Sequence, residues 1–270
     1  MLAAMPQKIW LIFLTAIFEF TVLSPTNIAI AQPETETLPT TLGKPKRTVQ
    51  SGTRVRLRLP PSLGNPNRRV PAATRGETCV AKKQNLTALI PQSNLGLTTL
   101  GNPTLYFFIP QNAANSLELV IQNDDGNGQI VYQQKYQPNT QAGIVGIHLP
   151  PDTLAVNQKY KWNFSIICNS KDPSLSKIVQ GTIQRFENPS LMNKIAQATP
   201  QERVLLYAEA GIWHDALDTL ARLRYSRPND LKLKADWEAL LTAPGVEFDQ
   251  QLVQQPLISE KEAPQPLLNN

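Results

Sequence analysis

Histidine and cysteine are scarce, with two of each in 270 residues. A structural zinc site needs a spaced set of Cys and His ligands, and none is spelled here. Neither Cys79 nor Cys168 sits in a C-x-x-C pair, which removes the thioredoxin-type redox centre. The chain also lacks a glycine-rich phosphate loop, a G-x-S-x-G elbow and an H-E-x-x-H pair. Nucleotide-binding, α/β-hydrolase and zincin signatures are thereby missing. Long apolar runs are absent too. The run over residues 9–18 is interrupted by Glu19 and falls well short of the roughly 20 residues that span a bilayer.

That short run has another meaning. Lys8 precedes it, and Ala29-Ile30-Ala31 makes a small-x-small cleavage site. Residues 1–31 are therefore expected to be an export signal cut between Ala31 and Gln32, leaving a periplasmic or secreted protein. No cysteine lies near the cut, so lipid anchoring there is excluded. In an oxidising compartment Cys79 and Cys168 most simply pair with each other. The alternative is two buried free thiols.

Charge is concentrated. The net charge is +5, yet between Lys44 and Lys83 eleven bases face Glu77 alone, a local balance of 11 − 1 = +10. From residue 84 onward fourteen bases and seventeen acids give 14 − 17 = −3. Residues 32–75 combine this basic charge with many prolines and almost no aromatics, a composition expected to stay disordered. The segment reads as a solubilising linker, or as a weak contact to an anionic envelope surface. Nucleic acid is not an expected partner outside the cytoplasm. Within the segment, Arg54, Arg56 and Arg58 alternate with Val55, Leu57 and Leu59, which spells a short edge strand stopped by Pro60-Pro61.

Residues 76–187 read as all-β. Strands are expected at 104–109, 117–122, 129–136, 143–149, 159–168 and 177–186. Asn123-Asp124-Asp125-Gly126-Asn127-Gly128 marks a hairpin turn between the second and third. In 160–169, "YKWNFSIICN", residues Tyr160, Trp162, Phe164, Ile166 and Cys168 share one parity and Lys161, Asn163 and Ser165 the other. Six strands without helical pattern between them imply a β-sandwich, immunoglobulin-like or jelly-roll. The segment "LIPQSNLGLTTLGNPTLYFFIP" reads as the first hairpin of that sandwich, with a ligand-facing loop as the alternative.

The period turns helical over 188–250. Thr199-Pro200-Gln201-Glu202 starts one helix, Trp213 opens a second, and Asp230 caps a third that Gly245 stops. Residues 251–270 are expected to be a flexible tail. "AEAGIWHDALDTLARLR" looks like half of a tetratricopeptide hairpin, read as an appendage on the sandwich and not as a peptide-binding array. The fold class is then mainly β with a small helical C-terminal region.

Candidate chemistry is thin. His214 beside Asp215 is a weak proton-transfer pair, since neighbours on a helix point apart, and it is read as a surface residue. His148 lies near a strand end. An enzyme would need His148, Glu118 and Asp152 to converge. Asn123, Asp124, Asp125 and Asn127 offer calcium-type oxygens, but in no EF-hand spacing, and a metal-free turn is preferred. Asn85 and Asn163 head N-x-S/T sequons that matter only in a eukaryotic host. No catalytic residue, metal ligand or cofactor site is assigned.

The blocks "RGETC", "LTALIP", "NLGLT", "NPTLYFFIP", "YKWNFSIIC" and "LYAEAGIWHDALDTLARLR" occur in an order that resembles the cyanobacterial domain-of-unknown-function family 928. The resemblance spans roughly residues 68–245 and implies an exported protein with a β-rich front, a helical end and no known catalytic residues. It implies an envelope partner, such as a membrane sensor or secreted adhesin system. His214 departs from it, standing where an aromatic is expected. The expected function is a non-enzymatic binding or interaction module of the envelope. The alternatives are a structural envelope protein and, less favoured, an envelope hydrolase with an unrecognised site.

Overall fold

The structure is a computed structural model that describes residues 55–60, 79–80, 84–138 and 141–268. Ala31, Gln32 and most of the basic segment lie outside the described residues. Among the described residues the strands form two sheets. One is three-stranded and antiparallel, in the order β1 (Thr87–Ala88), β3 (Thr104–Ile109), β6 (Gly143–His148). The other is five-stranded and runs β2 (Leu95–Thr98), β8 (Lys177–Arg185), β7 (Lys159–Ile167), β4 (Ser116–Asn123), β5 (Ile130–Tyr136).

The two sheets pack face to face. Leu117, Leu119 and Ile121 of β4 join Trp162, Phe164 and Ile166 of β7 and Leu105, Phe107 and Ile109 of β3 in one buried cluster. The Phe107 ring stacks on Phe164 at 4.1 Å and meets Trp162 edge-on at 5.5 Å. The outer face of the five-stranded sheet stays open, which is why β4 and β7 alternate in sequence. β3 does not alternate because both of its faces are covered. Its other side, Tyr106 and Phe108, belongs to a second cluster shared with the helices. The molecule is thus mainly β, with the helices laid over the smaller sheet.

The helices are α1 (Pro189–Gln197), α2 (Pro200–Glu209), α3 (Trp213–Ser226), α4 (Leu231–Leu241) and α5 (Gln250–Val253). Thr199 and Glu202 form the capping box at α2, and Asp230 caps α4 through the Lys232 and Leu233 amides. Cys79 and Cys168 are joined as a disulfide, tying the entry segment to the end of β7. The bridge does not join two central strands of opposite sheets in the antibody manner.

Three expectations need correction. The segment before β3 is not a hairpin with it: β2 pairs in parallel with β8, in the other sheet, from Leu95 opposite Thr182 to Thr98 opposite Arg185. The tail is not frayed. Pro256 accepts from the Ile144 amide at 2.8 Å and Ile258 donates to the Ile144 carbonyl at 2.9 Å, on the edge of β6. Further on, Gln137 donates to Gln265 and Leu267 to Lys135, both at 2.8 Å, on the edge of β5. An edge strand carries unpaired backbone groups, and the tail satisfies those of both sheets in turn. Finally, residues 55–60, inside the stretch expected to be disordered, pack on the helical cluster: Val55 is buried and Leu57 and Leu59 rest against it.

Candidate functional site

α3 holds the helical layer to the sheets through side chains that sequence reading treated separately. Trp213 donates its indole N–H to the Leu89 carbonyl at 2.8 Å. His214, expected at the surface, is buried. Its ring lies over β2 where only glycine fits, since a Cβ on Gly96 would stand 2.2 Å from His214 Nε2. Burial pushes the imidazole pKa down to about 4, so the ring is neutral at physiological pH. Neither ring nitrogen makes a well-formed hydrogen bond; the Thr104 backbone is the polar neighbour.

Asp215 is also buried. It accepts from Thr98 Oγ1 at 2.7 Å, from the Thr99 amide at 2.9 Å and from Thr99 Oγ1 at 2.6 Å. Burial raises its pKa to about 6, and the three donors oppose that rise. One turn on, Tyr106 donates to Asp218 at 3.0 Å, and Asp218 pairs with Arg222 at 2.9 Å. Two shifted groups side by side are the usual mark of an active site. Here His214 faces Gly96 of β2 and Asp215 is spent on the end of the same strand. The pair works as a latch between helix and sheet.

The remaining residues singled out in sequence are dispersed. His148 stands at the end of β6 between Asn102 and Thr104, at 3.3 and 3.2 Å. Glu118 accepts from Gln133 across the β4–β5 ladder at 2.9 Å. Asp152 sits in a turn with φ of 58°. No hydrogen bond or ion pair among the described residues joins His148, Glu118 and Asp152. In the β4–β5 turn, Asp124 binds Lys161 at 2.6 Å and Lys159 at 3.5 Å, and these lysines hold its carboxyl below the ordinary range against its slight burial.

A concave site lies elsewhere. A cleft of about 300 Å³ opens beside β1, between it and α5. Phe108, Phe248 and Leu252 supply its apolar part. Gln84, Asn85, Gln251 and Gln255 supply carboxamides, and Glu247 and Asp249 carboxylates. The acids are committed: Glu247 accepts from Gln92 at 2.9 Å, and Asp249 caps α5 through the Leu252 amide at 2.8 Å. Among the described residues the side-chain amides of Gln84, Asn85 and Gln251 make no hydrogen bond. Each offers a donor and an acceptor to a ligand. Sequence reading missed this site because its walls come from segments about 160 residues apart, one of them the supposedly frayed end.

Residues 70–257 match the family described as Domain of Unknown Function (DUF928), and the chain belongs to that family. No curated protein and no solved structure matches it.

Proposed function

We propose that this protein is a non-enzymatic binding module of the cell envelope, and that the cleft beside β1 receives a neutral polyhydroxylated ligand such as a glycan segment. The observation behind this reading is the set of three uncommitted carboxamides, Gln84, Asn85 and Gln251, around the apolar wall of Phe108 and Phe248. Adjacent sugar hydroxyls both donate and accept, as carboxamides do, and a sugar's C–H face suits an aromatic wall. The volume suits one or two sugar units, the lower end for small-ligand sites. Export through residues 1–31 brings the protein to such ligands, and the Cys79–Cys168 bridge is consistent with an oxidising compartment. In fold, we read the two sheets as a variant of the immunoglobulin-like or jelly-roll sandwich with an added helical layer.

Ligand-observed NMR tests the proposal with N-acetylglucosamine and glucose oligomers as probes. Saturation transfer to one oligomer class is expected from the full chain, with loss in Asn85→Ala/Gln251→Ala. Absence of transfer from every oligomer at millimolar concentration, or transfer unchanged in the double variant, would overturn it.

A further inference from the structure

The helical layer holds a second binding feature, already occupied. Residues 55–60, "VRLRLP", lie across α2 and α3 with alternate burial: Val55, Leu57 and Leu59 turn inward, while Arg56, Arg58 and Pro60 are exposed. The backbone is engaged as well, since the Arg58 amide donates to the Ala208 carbonyl at the end of α2 at 3.0 Å. Gly211, in the turn between α2 and α3, makes that approach possible. Its φ is +74°, and a Cβ there would stand 2.4 Å from the Arg58 carbonyl oxygen. An extended chain read by alternate side-chain pockets and a main-chain hydrogen bond is a recurrent mode of peptide recognition.

The fit is incomplete at one end. Beside Val55 a notch of about 60 Å³ opens toward solvent, its floor made by Val204, Leu205, Leu220, Leu223 and Leu233 and its rim by Gln201, Glu202, Lys232 and Asp236. Asp236 is 8% exposed, and its Oδ1 has no hydrogen-bond partner among the described residues. A buried carboxylate oxygen without a donor is costly, and the open notch leaves apolar wall that a larger side chain than valine would cover. The segment in place therefore leaves two defects that a different segment would remove.

We propose that the groove over α2, α3 and α4 is a receptor for an extended, cationic peptide of a partner protein, with three aliphatic residues at alternate positions, and that residues 55–60 fill it in cis. The preferred partner carries a side chain larger than valine at the first aliphatic position and a donor that reaches Asp236. The intramolecular segment holds an advantage, because tethering places it at an effective concentration on the order of millimolar. The groove thus stays closed to weak competitors and opens to a segment that repairs both defects. This proposal is independent of the cleft, which lies between β1 and α5.

Fluorescence anisotropy on the full chain tests it, with a labelled peptide of residues 50–62 as probe. The peptide should bind the Leu57→Asp/Leu59→Asp protein, whose own segment is expelled, at least tenfold more tightly than the unaltered protein. A peptide with leucine in place of Val55 should bind about fourfold more tightly again, as one added buried methylene implies. No saturable binding to the double variant, with its circular dichroism and disulfide intact, would overturn the proposal. Hydrogen exchange on the unaltered chain serves if that variant does not fold. Excess leucine peptide should speed exchange at the amides of residues 56–59, Arg58 included, and leave α2 and α3 protected. Unchanged exchange at 56–59 would equally overturn it.

Discussion

Replacing His214 by phenylalanine exposes the energetics of the latch. The folded imidazole has a pKa of about 4, against an ordinary value of 6.5. Between those values the unfolded chain takes up a proton that the folded chain refuses, so stability falls as pH drops through the window. From about pH 7.5 to about pH 5 this group alone costs about 2 kcal/mol. Asp215 acts in the opposite sense. Its folded pKa of about 6 lies above the ordinary 3.8, so the folded chain holds a proton the unfolded chain has lost. Its contribution is full below the lower value and is lost as pH rises through the upper one. Over the same interval, travelled upward, that loss is about 1–2 kcal/mol. The two slopes nearly cancel, and the native protein should be almost flat between about pH 5 and about pH 7.5. His214→Phe leaves the Asp215 slope alone, so the variant should become less stable as pH rises. Asp215→Asn leaves the His214 slope, so that variant should become more stable as pH rises. Urea unfolding followed by tryptophan fluorescence at both pH values measures the slopes. The slope carries the test and not the offset, because the phenyl ring must also be seated against Gly96. Three proteins with parallel pH dependence would refute the latch and both shifted ionisations.

Other outcomes follow from the fold. Removing the bridge with Cys79→Ala/Cys168→Ala opens a loop with a sequence separation of 89 and should cost about 4–5 kcal/mol in urea unfolding; two free thiols in the denatured, unreduced protein would contradict the bridge itself. Deleting residues 255–270 strips backbone partners from the edges of β5 and β6 and should yield a less stable chain that associates with rising concentration in sedimentation velocity. A monodisperse truncated protein of native stability would argue against an edge-covering role for the tail. Ile258→Ala, a milder change at a buried site, should cost about 2–4 kcal/mol.

What the sequence disclosed follows from the range of each interaction. β4 and β7 were legible because one face is open and alternation results, and the α2 and α4 starts because their caps are local. β2 has four residues and pairs in parallel with β8, more than 80 positions away, so no local pattern declares it. The N-terminal signature of α1, Asn188 as cap with Pro189 following, was present and went unread. The tail looked frayed because it is rich in proline and polar residues. Its order depends on edges made by β5 and β6, over 100 residues earlier. The burial of His214 was hidden for the same reason, since Gly96, which makes room for it, belongs to a distant strand. The cleft was the least legible, as unpaired carboxamides have no sequence signature.

If α3 is one connected support, its contacts should not behave as independent increments. Tyr106 reaches Asp218 from β3, Asp218 holds Arg222, and Arg222 reaches Glu260 in the tail at 3.4 Å. One turn of α3 thus links the helix-facing side of β3 to the tail that covers the edges. Tyr106→Phe removes a donor to a charged acceptor and should cost about 1.5–3 kcal/mol. The exposed Arg222 is worth less by itself, because its pairs are solvated. Both lean on the same carboxylate, however. When Tyr106 no longer donates, Asp218 depends more on Arg222, so Tyr106→Phe/Arg222→Ala should lose more than the sum of the single losses, by about 0.5 kcal/mol or more. Tyr106→Phe combined with Ile178→Ala, on the open face of the five-stranded sheet, shares no partner and should be additive. Additivity in both cycles would mean that Asp218 is two separate contacts that happen to share a residue, and that the helix does not transmit between sheet and tail.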